Sequence, residues 1–265
     1  MRKGIRVVTL IPFFLSKTPN SCLLMHFYII SLFPEYFKGS LSCGTLRIAQ
    51  EKGLIKCTII NPRDFVDDQI VDDYQFGGGA GMVLKLEPIL KAINSIKSPH
   101  QFIINFSPTG KLLNQNLVKN LVKKTEIILI CGRYKGIDER LSQLLPIEEI
   151  SIGDYVTSGG ECAALVLMEA ITRLIPGVLG HIDSAEEDSL QNGLLSAPVY
   201  TRPANFKNHN VPEILISGNH QAIAQWRRKK SLELTLRKRP ELLPEVIFTK
   251  KDLELLLEVL NDKTS

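Results

Sequence analysis

Residues 126–134 read EIILICGRY. Four consecutive aliphatic side chains, a cysteine and then a glycine form a short apolar run that stops abruptly. A run of this length, apolar at every position, reads as a strand covered on both faces, as in a parallel α/β sheet. Working outward, HFYIISLF (26–33), CTIINPRDF (57–65, turning at Asn61-Pro62) and QFIINFSPTG (101–110) have the same character. Between them lie segments with helical spacing, 87–97 and 111–124; in the second, Leu112, Leu113, Leu117, Val118 and Leu121 fall on one face. The fold class that follows is α/β, a doubly wound domain on a parallel sheet.

The chain has 265 residues, 44% hydrophobic and 23% charged, enough for one large domain or two modest ones with an ordinary core. Residues 201–240 hold nine Lys/Arg against two acids, a net +7 in a chain of net +4, so the remainder sums to −3. A basic block on a mildly acidic body points to a polyanionic partner, although a solvated helix face explains many such runs. That block includes Arg227, Arg228, Lys229 and Lys230 beside Trp226, in a helix expected over 217–239 and ended by Pro240; a further helix is expected over 250–261. Trp226 is read as a core anchor or a base-stacking platform.

Five widely spaced cysteines, with no C-x-x-C and no histidine cluster, suggest reduced thiols in a cytoplasmic protein and neither a disulfide framework nor a zinc site. The basic, briefly apolar start MRKGIRVVTLIPFFLSK lacks a cleavage pattern and is too short to span a bilayer. Residues 1–24 are therefore read as a non-native extension, with no membrane partner. The acidic, Ser-rich stretch HIDSAEEDSLQNGLLSAPVY (181–200) is read as a flexible interdomain linker. The division expected is 25–180, 181–200 and a helical domain over 201–265.

Glycine-rich loops are expected to close one end of the sheet: FGGGAG (76–81), SPTG (107–110) and SIGDYVTSGG (151–160). The pattern G-x-x-x-x-G-K-[ST] is missing, since Gly110-Lys111 is followed by Leu112 with no glycine five positions earlier, and no G-x-G-x-x-G follows the first strand. A phosphate cradle therefore lacks its parts. Bare backbone groups at glycines can instead read the edge of a purine. Ile152, Val156 and Leu165 would line a slot for a flat ring. A neutral or zwitterionic nucleoside suits such loops better than a triphosphate.

Eight segments carry a resemblance to a known family: ISLFPEYF (30–37), DDYQFGGGAGM (72–82), ICGRYKGIDER (130–140), SIGDYVTSGGE (151–161), RLIPGVLG (173–180), EDS (187–189), YTRP (200–203) and LISGNH (215–220). In this order they resemble the bacterial tRNA (guanine-N1)-methyltransferases of the TrmD type, within the SPOUT superfamily of knotted methyltransferases. The resemblance runs from about Met25 to the C-terminus. It implies a knotted methyltransferase domain with a deep trefoil knot around 105–180, a small helical tRNA-binding domain, and a homodimer with active sites at the interface. It also implies S-adenosylmethionine as methyl donor, held at Phe106, Pro108, Gly132, Tyr134, Ser151, Ile152, Gly153, Tyr155, Thr157, Gly159 and Gly160. The acceptor implied is the guanosine at tRNA position 37.

N1 of guanine carries a proton and becomes nucleophilic only when that proton leaves, so methylation needs a general base near N1 and positive charge near O6. By resemblance the base is Asp188, and Arg173 supports the guanine. Taken alone, the first is a linker acid and the second the exposed end of an apolar helix. The resemblance also implies magnesium, with unplaced ligands; many relatives carry an acid where this chain has Lys135. Two other readings compete: a knotted ribose or rRNA methyltransferase, disfavoured by EDS and YTRP, and a non-catalytic RNA-binding module, disfavoured by the intact glycine loops and Asp188.

Overall fold

The computed structural model describes residues 24–98, 102–179 and 188–261. Residues 1–23, which carry most of the expected extension, and 181–187 of the expected linker lie outside the described residues. The chain divides into two compact units, Met1–Gly180 and His181–Ser265.

The first unit is built on five strands: β1 (Met25–Ile30), β2 (Ile55–Ile60), β5 (Phe102–Leu112), β6 (Glu126–Ile130) and β7 (Ile147–Ser151). They lie in the order β2-β1-β6-β5-β7, and every neighbouring pair is parallel. The EIILI run occupies the centre. Side chains alternate across a strand: Ile127 and Leu129 enter one core with α1 (Glu35–Leu41), α2 (Gly44–Glu51), α4 (Gln115–Leu121) and α6 (Glu161–Thr172). Ile128 and Ile130 enter the opposite core with α3 (Leu86–Asn94) and α5 (Arg140–Leu144). All four are 0% exposed, which is why the run needs no polar face. Each such side chain contributes roughly 1.5–3 kcal/mol by leaving water.

Three elements differ from the sequence expectation. The strand expected over 57–65 ends at Ile60, where the Asn61 side chain accepts from Arg63 N (3.1 Å) and starts a 3-10 turn at Pro62–Phe65. The helix expected over 111–124 covers only Gln115–Leu121, capped by Asn114, whose Oδ1 accepts from Leu117 N at 2.9 Å. Lys111 and Leu112 instead belong to β5. Its pairing with β7 jumps from Phe106–Ile150 to Lys111–Ile150, so 107–110 bulge out and the chain then rejoins β7. Finally, FGGGAG joins β3 (Asp72–Tyr74) to β4 (Met82–Leu84) in an antiparallel hairpin rather than ending a strand of the main sheet.

The second unit holds helices His220–Lys238 and Lys250–Asn261 and a short hairpin at Asn205–Phe206 and His209–Asn210. Leu194, Leu232, Val246 and Leu255 form its core. The Ser231 hydroxyl donates to Leu195 O, and Leu195 N donates to Thr235 Oγ1 (3.0 Å). Residues 194–195 of the expected flexible linker are thus packed against the longer helix, because Leu194 supplies an apolar anchor inside a polar stretch. Among the described residues no helix is long and apolar enough to cross a membrane.

Candidate functional site

Ligands of open parallel sheets sit beyond the carboxyl ends of the strands. In the first unit that place is a cleft of about 580 Å³ walled by the bulged part of β5 and by the loops after β6 and β7, within the usual range for a small-molecule site. Phe106, Pro108, Gly132, Tyr134, Ser151, Ile152, Gly153, Tyr155, Thr157, Gly159 and Gly160 all line it. The FGGGAG loop, expected as one of three walls, is not among the lining residues; the third wall is 132–139. Gly81 nevertheless abuts Lys135, whose backbone N–H donates to Met82 O at 3.0 Å, so the hairpin supports that wall from outside.

Each wall satisfies much of its own polarity. The Tyr155 hydroxyl donates to Ile152 O (3.0 Å), and the Thr157 hydroxyl donates to Gly159 O (3.0 Å). Gly160 N donates to Gly132 O (2.9 Å) and joins two walls. A Cβ at Gly160 would stand 2.8 Å from Cys131 Cα, a separation only glycine allows.

Sequence reasoning missed the acidic side of the cleft. Glu149 accepts from the Thr109 hydroxyl (2.7 Å) and from Asn105 Nδ2 (3.3 Å), while Asn105 Oδ1 is buried with no hydrogen-bond partner. Asp138 also lines the cleft, and hydrogen bonds from Arg140 hold its carboxyl down to about 2. The PIEEI run was the only sequence signal, and it reads equally well as a solvated strand end. Acceptors and carboxylates alternate here with Arg133 and Lys135. Such a lining suits a cationic or zwitterionic ligand with donors for Asn105 and Glu149, and it is poor for a triphosphate. S-adenosylmethionine fits on these grounds: a purine, a ribose with hydroxyl donors and two cationic centres.

Of the two expected catalytic residues, Arg173 shares the first unit with the cleft but is not among its lining residues. Arg173 is the exposed C-cap of α6. The twelve residues of α6 separate it from Gly160, thirteen steps or about 20 Å at 1.5 Å per residue. Asp188 opens a turn in the second unit, its carbonyl accepting from Gln191 N at 3.4 Å. Among the described residues no cluster of three or more His, Cys, Asp or Glu side chains could hold a metal ion.

Several cations of the basic helix are engaged in ion pairs. Arg228 donates from Nε and Nη2 to the Asp252 carboxylate (2.7 and 3.0 Å), Lys229 pairs with Glu258 (3.0 Å) and Lys230 with Glu233 (2.7 Å). Trp226 is half-buried beside Tyr200, ring centroids 6.5 Å apart. Asp252 is 3% exposed and also accepts from Thr249 N and the Thr249 hydroxyl, which caps the last helix. The Arg228 hydrogen bonds hold its carboxyl down to about 2. A depressed folded-state pKa means the contribution, roughly 2 kcal/mol, is fully present above the unfolded value near 4 and is lost as pH falls towards 2. Urea melts across that range are expected to show Asp252→Asn destabilised by about 2–3 kcal/mol at neutral pH, with the gap closing in acid; a pH-independent gap would remove the ion pair as its cause.

A parallel α/β unit whose strand ends enclose a nucleoside-sized, acceptor-rich cleft, followed by a helical unit that carries one basic helix, defines a protein built to hold a nucleoside-like ligand. Comparison with known proteins narrows this. The family described as tRNA (Guanine-1)-methyltransferase TrmD matches residues 25–245. Proteins named tRNA (guanine-N(1)-)-methyltransferase are similar along most of the chain. That of Dictyoglomus turgidum is 50% identical over 233 residues (87% of this chain, 95% of the relative). That of Carboxydothermus hydrogenoformans is 51% identical over 230 residues (86% and 91%), and that of Geobacillus kaustophilus 48% over 238 (88% and 98%). The chain belongs to the TrmD tRNA (guanine-1)-methyltransferase family.

Proposed function

We propose that this protein transfers a methyl group from S-adenosylmethionine to N1 of the guanosine at tRNA position 37, giving 1-methylguanosine and S-adenosylhomocysteine. The observation that carries the reading is the gathering of all eleven donor-site residues around one acceptor-rich cleft. The donor supplies an activated methyl on a sulfonium. The protein's work is then to hold the flat ring against Ile152 and the glycine walls, to exclude water, and to prepare the guanine.

Asp188 takes the N1 proton, and Arg173 stabilises the negative charge that grows at O6. The 20 Å between Arg173 and the cleft wall along α6 supports a homodimer in which one chain's Arg173 serves the partner's cleft. The trefoil knot of the family belongs to the same proposal, with the 107–110 bulge and its return alongside β7 as the point where the chain would thread. So do a cytoplasmic location, the non-native character of residues 1–24 and a tRNA-binding role for 201–265. No residue is assigned to magnesium, and no step depends on it.

The test is methyl transfer from tritiated S-adenosylmethionine to a tRNA transcript and to a variant altered at position 37. Label on the first alone supports the reading, and equal label on both rejects it. Repeating the assay across a magnesium titration separates the ion's role, since a flat response removes it.

For RNA contact, the exposed Arg237 and Lys238 at the helix end are favoured over Arg228, which is engaged with Asp252. Arg237→Ala with Lys238→Ala is expected to reduce the log–log salt slope of tRNA binding by about one to two. Filter binding over a KCl series measures it, and an unchanged slope points the RNA to another face.

A further inference from the structure

An ion pair between a half-buried arginine and a buried carboxylate joins two walls of the cleft, and the proposed transfer chemistry does not use it. Glu161, the first residue of α6, is 1% exposed and accepts from the Ser31 hydroxyl at 2.8 Å. Arg133, in the loop after β6, donates from Nε to Glu161 Oε1 (3.2 Å) and lies 3.0 Å from Oε2. Its guanidinium stacks 4.4 Å above the Phe33 ring, and Nη1 donates to Ser158 O at 3.4 Å. Backbone contacts run alongside: Gly160 N donates to Gly132 O, and Arg133 bridges antiparallel to Gly159. A side chain at Gly159 would overlap both Arg133 and Glu161, so the turn is shaped around the pair. The residue after Arg133 is Tyr134, which adopts φ +61° and lines the cleft.

A buried ion pair is a poor source of stability, because desolvation offsets its attraction. Here its directional value is clear. The start of α6 favours a negative charge, the planar guanidinium is fixed by one ring and two acceptors, and the outcome is a set distance between 132–135 and 157–160. We propose that Arg133 and Glu161 are positioning residues that clamp the β6 loop to the glycine turn and so set the cleft's width for the methyl donor. Neither touches the reacting atoms. The inference rests on the donor-binding reading of the cleft, and its test separates the two.

Glu161→Gln keeps the shape and removes the charge. Calorimetry with S-adenosylmethionine is expected to show Kd raised at least about tenfold, while KM for tRNA stays within about twofold of wild type. Amide exchange without donor is expected to speed up at Gly160, whose N–H spans the two walls, and to stay unchanged at Leu129 in the sheet centre. Arg133→Lys, which keeps the cation but loses the fork, is expected to move both readouts in the same direction, and it carries the test if Glu161→Gln does not fold. Donor affinity within about twofold of wild type, together with unchanged exchange at Gly160, overturns the clamp. If the wild-type protein binds no S-adenosylmethionine, the reading of the cleft fails, and exchange at Gly160 still decides the clamp.

Discussion

Replacing Asp188 with alanine is expected to slow single-turnover methyl transfer by about 10²- to 10⁴-fold, the usual contribution of a positioned general base, while leaving S-adenosylmethionine affinity unchanged. The separation follows from geometry. The donor-site residues belong to loops of the first unit, whereas Asp188 belongs to a turn of the second. That turn is held independently, since the Ser189 hydroxyl accepts from Ser196 N (2.9 Å) and Leu194 is buried in the helical core. Truncating Asp188 therefore removes a proton acceptor without opening the cleft. Arg173→Ala should behave alike, with a deficit in chemistry and donor binding intact. If the Asp188→Ala enzyme turns over at near wild-type rate when saturated with both substrates, another group takes the N1 proton.

The split between cleft and chemistry also explains what could be read from residues alone. Ile127–Ile130 disclosed a doubly covered parallel strand because every side chain in the run is apolar and all four are fully buried. Leu112 and Leu113 misled because two leucines ahead of an amphipathic helix look like its first turn. Only the β5–β7 register shows that the chain is still strand at Leu112, and the reliable local signal was the Asn114 cap. Periodicity gave no access to contacts between distant residues. Arg133 and Glu161 are 28 positions apart and Arg228 and Asp252 are 24 apart, so a cleft clamp and a structural ion pair both resembled solvated charge. The glycines of 76–81 attracted attention by density, yet they serve a hairpin turn in which Gly77 and Gly78 have open space around them and Gly79 and Gly81 meet only side chains. The less conspicuous Gly110 and Gly160 are the ones pressed against backbone.

Gly110→Ala is accordingly expected to be the most damaging single methyl in the first unit. A Cβ at Gly110 would overlap the carbonyl carbon and oxygen of Glu149 and the amide nitrogen of Ile150. These atoms belong to β7, whose pairing with β5 on both sides of the bulge leaves its backbone no room to retreat. The obstacle is steric, because no left-handed φ is needed at Gly110. Overpacking against movable side chains typically costs 1–3 kcal/mol. Against paired backbone the value should lie at or above about 3 kcal/mol, a large share of the stability of an ordinary domain. Gly39→Ala provides the contrast: its added methyl meets nothing within 4 Å in α1, and helix propensity favours alanine over glycine by up to about 1 kcal/mol. Urea melts followed by circular dichroism should therefore move in opposite directions for two chemically identical substitutions. Equal midpoints would mean that the chain does not pass β7 as closely at Gly110 as this register requires, and with that the proposed threading at the 107–110 bulge would lose its support.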